Sequence, residues 1–433
     1  MTNIELVTHL PIVLRPDPSR VVIRPFMPAD DLPAFANPEA TRVQRIADEV
    51  TSLDSATLEC EWARVSAGLA DRHRDIDRVV LRRFHEMNSL LRNPDALTPT
   101  QALLTGAYFS EEYSFEAAAL FNPSIVPHPD QTGMTPGALR FILSLRGVGE
   151  GHISSVTFRT GIWTKEGGIL LDDPTKEAIS PRVEVIPGGA PDDPGARLHC
   201  DDSRDLSDIV IYPVTASQRQ GIEDLRLVRF VNDDGIVSYI GTYTAFSGPS
   251  VRQELLRTTD FATFELSALR GDATSNKGMA LFPRKLAGRY AMLSRQDHIN
   301  VWLLTSDDLY KWEGGTRAIT PRWPWEFIQI GNCGSPIEIA EGWLVVTHGV
   351  GAVRNYCLGA CLLDRDDPTK VLARMTTPLL RPNPKERDGY VPNVIYSCGA
   401  MIRDRTLLLP YSVADSFTTF ATVDVDLLLA AME

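Results

Sequence analysis

The stretch IEDLRLVRFVNDDGIVSYIGTYTAF, Ile222–Phe246, decides the fold. Its first run is apolar at alternate positions and ends in Asn232-Asp233-Asp234-Gly235, a turn cluster. A second run, rich in Val, Ile, Tyr and Thr, follows it. Strand, tight turn, strand is the pattern. The pattern recurs in MALFPRKLAGRYAMLSR from Met279, GSPIEIAEGWLVVTHGV from Gly334 and VPNVIYSCGAMIRDRTLLLPYSVAD from Val391, with starts about 55 residues apart. Each unit ends its second strand on an aromatic or polar residue. A period of this order with several strands per unit is the mark of propeller blades.

A fifth unit fits FNPSIVPHPDQTGMTPGALRFILSLRGVG from Phe121. Its distance to the next unit is about double the others, so an insertion is expected between them. Asp172 to Asp208, rich in Pro, Gly and Asp, reads as that insertion, a long surface loop. Residues 38–93 differ in texture. Leu58, Trp62, Val65 and Leu69, then Ile76, Val80, Leu81 and Phe84, recur at helical spacing, and Ser52 to Ser55 supplies a helix start. The expectation is an all-β five-bladed β-propeller over residues 101–433, with a largely α-helical N-terminal extension over residues 1–100. A β-sandwich array is the alternative.

The chain has 433 residues, 43% hydrophobic and 23% charged, with a formal net charge of -13. That charge speaks against a nucleic-acid or anionic-membrane partner, and an anionic substrate would need a local basic pocket. The six cysteines are scattered without a CxxC pair, the N-terminus lacks a leader-like apolar core, and no long apolar run occurs. The expected location is the cytoplasm. No HExxH pair, P-loop or dinucleotide-binding glycine motif occurs, and neither a metal nor an organic cofactor is expected.

In a propeller the first strand of every blade lines the central channel, so polar residues at those strand ends converge. The repeat therefore brings together Asn122, then Glu223, Asp224 and Arg226, then Lys277 and Arg295, then Gln329 and His348, and finally Asn393, Tyr411 and Asp415. His128 and His152 are further candidates for the rim. Polar groups on apolar strands point to a wet pocket.

The motifs GIEDLRLVRF, NKGMALFPRKLAGRYAMLSR, IQIGNCGSPIEIAEGWLVVTHGV and GYVPNVIYSCGAMI followed by PYSVAD resemble, in order, those of glycoside hydrolase family 130. That family contains β-mannoside phosphorylases and β-mannosidases on five-bladed propellers. The resemblance spans about residues 100–430. It implies that Asp224 is the general acid, delivering its proton through a sugar hydroxyl, with a pKa raised by burial and by Glu223. Asn122 and Asp415 fall on positions that grip the mannosyl ring, and Glu223 and Arg226 flank the acid as substrate-binding residues. Lys277, Arg295, Gln329 and His348 fall on the phosphate-holding positions. Three of these four can carry positive charge. Gln329 stands where a lysine is expected, and Arg354 is a candidate to compensate. The implied reaction is reversible, inverting phosphorolysis of a β-1,2-linked oligomannoside, with inorganic phosphate as co-substrate and the helical extension as a surface for homo-oligomers. Two alternatives stay open. A β-mannosidase would need a carboxylate to activate water, for which Glu386 and Asp388 are available, and a glycan-binding propeller would need no acid at all.

Overall fold

A computed structural model describes residues 6–35, 37, 39–190, 193–385 and 388–433. The chain divides into two compact units. One comprises the segment ending at Pro18, Phe115–Pro174 and Pro181–Glu433; the other comprises Ser19–Ser114 and Thr175–Ser180. This division crosses the expected boundary after residue 100 at both ends.

The larger unit is mostly β. The first repeat forms the antiparallel strands Ala119–Pro127, Leu139–Val148, Ser154–Trp163 and Ile169–Leu171. The second forms Gly221–Val231, Val237–Phe246, Val251–Thr258 and Thr263–Ala268. A parallel bridge between Gly221 and Ser154 joins these two repeats into one 11-stranded sheet. The third repeat is a separate four-stranded sheet, Ala280–Leu281 to Thr316–Ile319. The fourth and fifth repeats centre on the strand pairs Gly342–Gly351 with Asn355–Leu363, and Thr406–Val413 with Phe417–Asp424. Among the described residues no sheet closes on itself.

Ala119–Pro127 and Gly342–Gly351 are buried on both faces, as strands inside a layered β unit are. Apolar clusters lie between successive sheets. Phe230, Met292 and Trp312 join the second to the third; Leu293, Trp343 and Val345 join the third to the fourth; Leu344, Leu358 and Leu407 join the fourth to the fifth. A further cluster unites Leu408 and Phe420 of the fifth with Leu120, Phe141 and Leu143 of the first.

Two elements depart from the expectation. Val7–Leu14, assigned to the helical extension, is a strand on the edge of the fifth sheet, paired antiparallel with Phe417–Asp424. Within the insertion, Arg182–Ala190 and Asp193–His199 are paired strands rather than loop, attached to the second repeat through Thr263–Ala268. Alternating RVEV and ARLH text suits a half-exposed edge ribbon.

The smaller unit holds the helices Arg42–Ser52, Ser55–Leu69, Ile76–Glu86 and Pro99–Tyr108. Asp54 caps the second by accepting from the Ala56 and Thr57 amides. The fourth runs past residue 100, into text read as β. Thr98 and Gln101 form a reciprocal capping box there, with Pro99 in the first turn.

Candidate active site

Each repeat places one residue in the left-handed region at the same point of its motif. These are Asn122 (φ 49°), Asp224 (φ 55°), Gly278 (φ 96°), Gly334 (φ 113°) and Asn393 (φ 62°). In the first two repeats the residue sits at a break in strand register, between Phe121 and Ser124 and between Glu223 and Arg226. A bulge of this kind re-aims a side chain, and Asn and Asp tolerate positive φ better than most residues.

Asn122 and Asp224 meet there. Asn122 Nδ2 donates to Asp224 Oδ1 at 2.6 Å, and Ser412 Oγ donates to Asn122 Oδ1 at 2.9 Å. The amide is thereby oriented from the opposite side. Arg146 spans both carboxylates of the second repeat, reaching Glu223 at 2.9 Å and Asp224 at 3.2 Å. Lys277 Nζ donates to the other Glu223 oxygen at 2.6 Å. Arg226 is buried, donating to the Asn332 carbonyl at 2.5 Å and the Tyr396 hydroxyl at 2.6 Å.

These groups line a polar cavity of about 220 Å³, together with Arg295, His348 and Asp415. Eight of the nine residues to which the resemblance gives a role therefore share one cavity. Gln329 does not line it. It is half-buried at the start of its strand, opposite Val350, two pairs removed from the Gly331–His348 pair. Asn393 and Tyr411 also lie outside the lining; Tyr411 instead bonds His9 Nδ1 at 2.9 Å. His128 and His152 do not line it either. Glu386 lies outside the described residues, and Asp388 is exposed, away from the cavity lining.

Arg146, Thr244, Tyr356 and Tyr396 line the cavity without having been singled out. Arg146 was within reach of the repeat rule. It lies near the end of Leu139–Val148, as Thr244, Arg295 and His348 lie near the ends of their strands.

Two electrostatic expectations are corrected. Burial pushes the Asp224 carboxyl up, but the charges of Arg146 and Lys277, the Asn122 hydrogen bond and Arg226 together hold it below the ordinary Asp range. The raised carboxyl is Asp415, pushed to about 6 by burial and by the charge of Asp224. His348 is held well below the usual histidine range by burial, then by Arg295 and Arg226, so it is neutral. Arg295 Nη1 donates to its Nε2 at 3.2 Å, which leaves the ring proton on Nδ1, facing Cys333 Sγ at 3.5 Å. His348 thus orients Arg295 and brings no charge of its own. Gly331 makes room for it, since a Cβ there would stand 2.4 Å from the His348 ring.

The cavity holds five cationic side chains, Arg146, Arg226, Lys277, Arg295 and Arg354, against three carboxylates, Glu223, Asp224 and Asp415. In a chain with a net charge of -13, that local excess marks an anion site beside a carboxylate pair.

The molecule is thus a mostly β protein that gathers acids and cations at the strand ends of repeated sheets. The sequence profile of glycoside hydrolase family 130, described as β-1,4-mannooligosaccharide phosphorylase, matches residues 204–433. The chain is 35% identical over 216 residues to a 1,2-β-oligomannan phosphorylase of Thermoanaerobacter sp. (strain X514), covering 49% of this chain and 71% of that protein. It is 33% identical over 233 residues to a β-1,2-mannobiose phosphorylase of Listeria innocua, covering 52% of this chain and 63% of that one. The solved structure of a Listeria innocua β-1,2-mannobiose phosphorylase in complex with β-1,2-mannobiose superposes with a TM-score of 0.53 at 22% identity, over 72% of this chain and 92% of that chain. The chain belongs to glycoside hydrolase family 130.

Proposed function

We propose that this protein is an inverting β-mannoside phosphorylase that cleaves β-1,2-linked oligomannosides with inorganic phosphate and releases mannose 1-phosphate. The observation that carries the reading is Arg295. Its Nε is buried without a hydrogen-bond partner, and among the described residues no carboxylate pairs with it. A guanidinium left unpaired beside two acids suits an oxyanion that arrives as nucleophile. The relatives named as phosphorylases of β-1,2-mannosides support the same substrate class.

In this reading a hydrogenphosphate oxygen attacks the anomeric carbon, and the glycosidic C–O bond breaks with its electron pair going to the leaving oxygen. Asp224 supplies the proton through a sugar hydroxyl, and the phosphate's own acidic hydroxyl later restores it. In the free protein Asp224 is ionised, held so by cations. A phosphate dianion beside those cations offsets their field and raises the Asp224 pKa. The acid is then loaded once phosphate is in place. Asn122 and Asp415 orient the ring, with Glu223 and Arg226 holding the surrounding polar frame.

The same reading takes the β unit to be a five-bladed propeller. Its support is the run of apolar clusters from each sheet to the next from the second onward, together with one from the fifth to the first. A cytoplasmic location accords with six unpaired cysteines, five of them buried. No helix among the described residues is long and apolar enough to cross a membrane.

Product analysis on β-1,2-mannobiose, with and without phosphate, tests the reaction. Mannose 1-phosphate is expected only with phosphate, and Asp224→Asn is expected to lower the rate by about 10²–10⁴-fold. Free mannose released regardless of phosphate would make the protein a hydrolase.

A further inference from the structure

The hairpin between Gly342–Gly351 and Asn355–Leu363 turns through Ala352–Arg354, with Val353 at φ 55° and Arg354 at φ 52°. Two successive left-handed residues without a glycine are costly, and a β-branched valine there is worse. The turn leaves Val353 88% exposed, yet its neighbour Arg354 lines the cavity. Arg354 is exposed too, but its side chain lies at the cavity, over the Tyr356 ring.

The other cavity cations are engaged. Arg146 is paired with Glu223 and Asp224, Lys277 with Glu223, and Arg226 with a carbonyl and a phenol. Arg295 and Arg354 remain, and among the described residues neither has a carboxylate within ion-pair distance. They flank one aromatic pair. Arg295 bonds His348, the His348 ring stacks on Tyr356 with centroids 6.1 Å apart, and the Arg354 guanidinium lies 5.7 Å from the Tyr356 ring centroid. Gln329 leaves the cavity without a further donor from its own strand.

We infer that Arg354 is the second phosphate-holding guanidinium, acting with Arg295 across the His348–Tyr356 pair. Resting on the phosphorylase reading, this assigns the charge of the anion subsite to a hairpin turn rather than to Gln329. Two planar forks can grip separate oxygens of a phosphate and leave one oxygen free to attack.

The test is steady-state kinetics with β-1,2-mannobiose and orthophosphate, alongside calorimetric titration of orthophosphate onto the whole protein. Arg354→Gln is expected to raise the KM for phosphate about tenfold or more, with the KM for mannobiose within about twofold. Arg354→Lys, which keeps charge without the fork, should fall between. Arg354→Gly relieves the turn's strain and should weaken phosphate as Arg354→Gln does, which separates the guanidinium from the fold of the hairpin. An unchanged phosphate KM, or a rise confined to the mannobiose KM, overturns the inference. If wild type binds orthophosphate and Arg354→Gln binds it equally, this inference alone fails. If wild type binds none and yields free mannose, the phosphorylase reading fails with it.

Discussion

At the scale of residues, the site depends on environment more than on residue type. Asp224 and Asp415 are the same acid in one cavity, yet cations from the first, second and third repeats hold the former low, while burial and its neighbour's charge push the latter to about 6. With a folded pKa of about 6, Asp415 is ionised above that pH and protonated below it. If Asp415 holds the mannosyl ring as proposed, its ionised form accepts sugar hydroxyls at both oxygens, and kcat/KM for the mannoside should fall as pH drops through about 6. Asp415→Asn should be slower at every pH and should lack that limb. A limb that persists in the variant would assign it to another group. The sign for stability follows. Between the unfolded value near 3.8 and the folded value near 6 the native state holds the extra proton, so this side chain's contribution declines as pH rises through that window. Most site residues were legible as polar groups on apolar strands. Their charge states were not, because each is set by partners from other repeats, and the distance to those partners is a tertiary fact. Gln329 was misplaced for a related reason. Its register along the strand is visible in sequence, but whether a residue two pairs beyond Gly331–His348 still reaches the cavity is not.

At the scale of elements, local hairpins were legible and distant pairings were not. The five motif units carry their own turns, so each announces itself. Among the described residues Val7–Leu14 pairs with Phe417–Asp424, some four hundred residues on, and Pro11 lies where the register between the two strands shifts. Leu10, Ile12 and Leu14 pack on the cluster that joins the fifth sheet to the first. Removing the segment through Leu14 would strip this partly buried apolar surface and bare the edge of Phe417–Asp424, an invitation to edge-to-edge association. The expected outcome is a Tm lower by about 5 °C or more, with greater aggregation on heating, read by scanning calorimetry and light scattering. An unchanged Tm would mean that the strand adds nothing to the fifth sheet.

At the scale of the whole molecule, the site draws residues from both the first and the last repeats of the β unit. Asn122 and Arg146 come from the first repeat and Tyr396 and Asp415 from the fifth, and they meet in one cavity through contacts such as Ser412 Oγ to Asn122. In a ring of five blades the seam between the fifth and first sheets carries the same load as any other. In an open row it would be an end, and side chains there would be cheap to lose. Leu293, Leu344 and Leu408 are fully buried at the third–fourth, fourth–fifth and fifth–first seams respectively. Each Leu→Ala change removes comparable volume from a packed core and should cost about 2–5 kcal/mol. The ring reading expects the three variants to lose similar stability in denaturant titration, each in one transition of the β unit. It also expects Leu408→Ala to lower kcat/KM more than Leu293→Ala does, because that seam sets the first-repeat residues against Asp415. A Leu408→Ala variant that keeps both its stability and its activity would leave the fifth sheet as an end, and the propeller reading would fall.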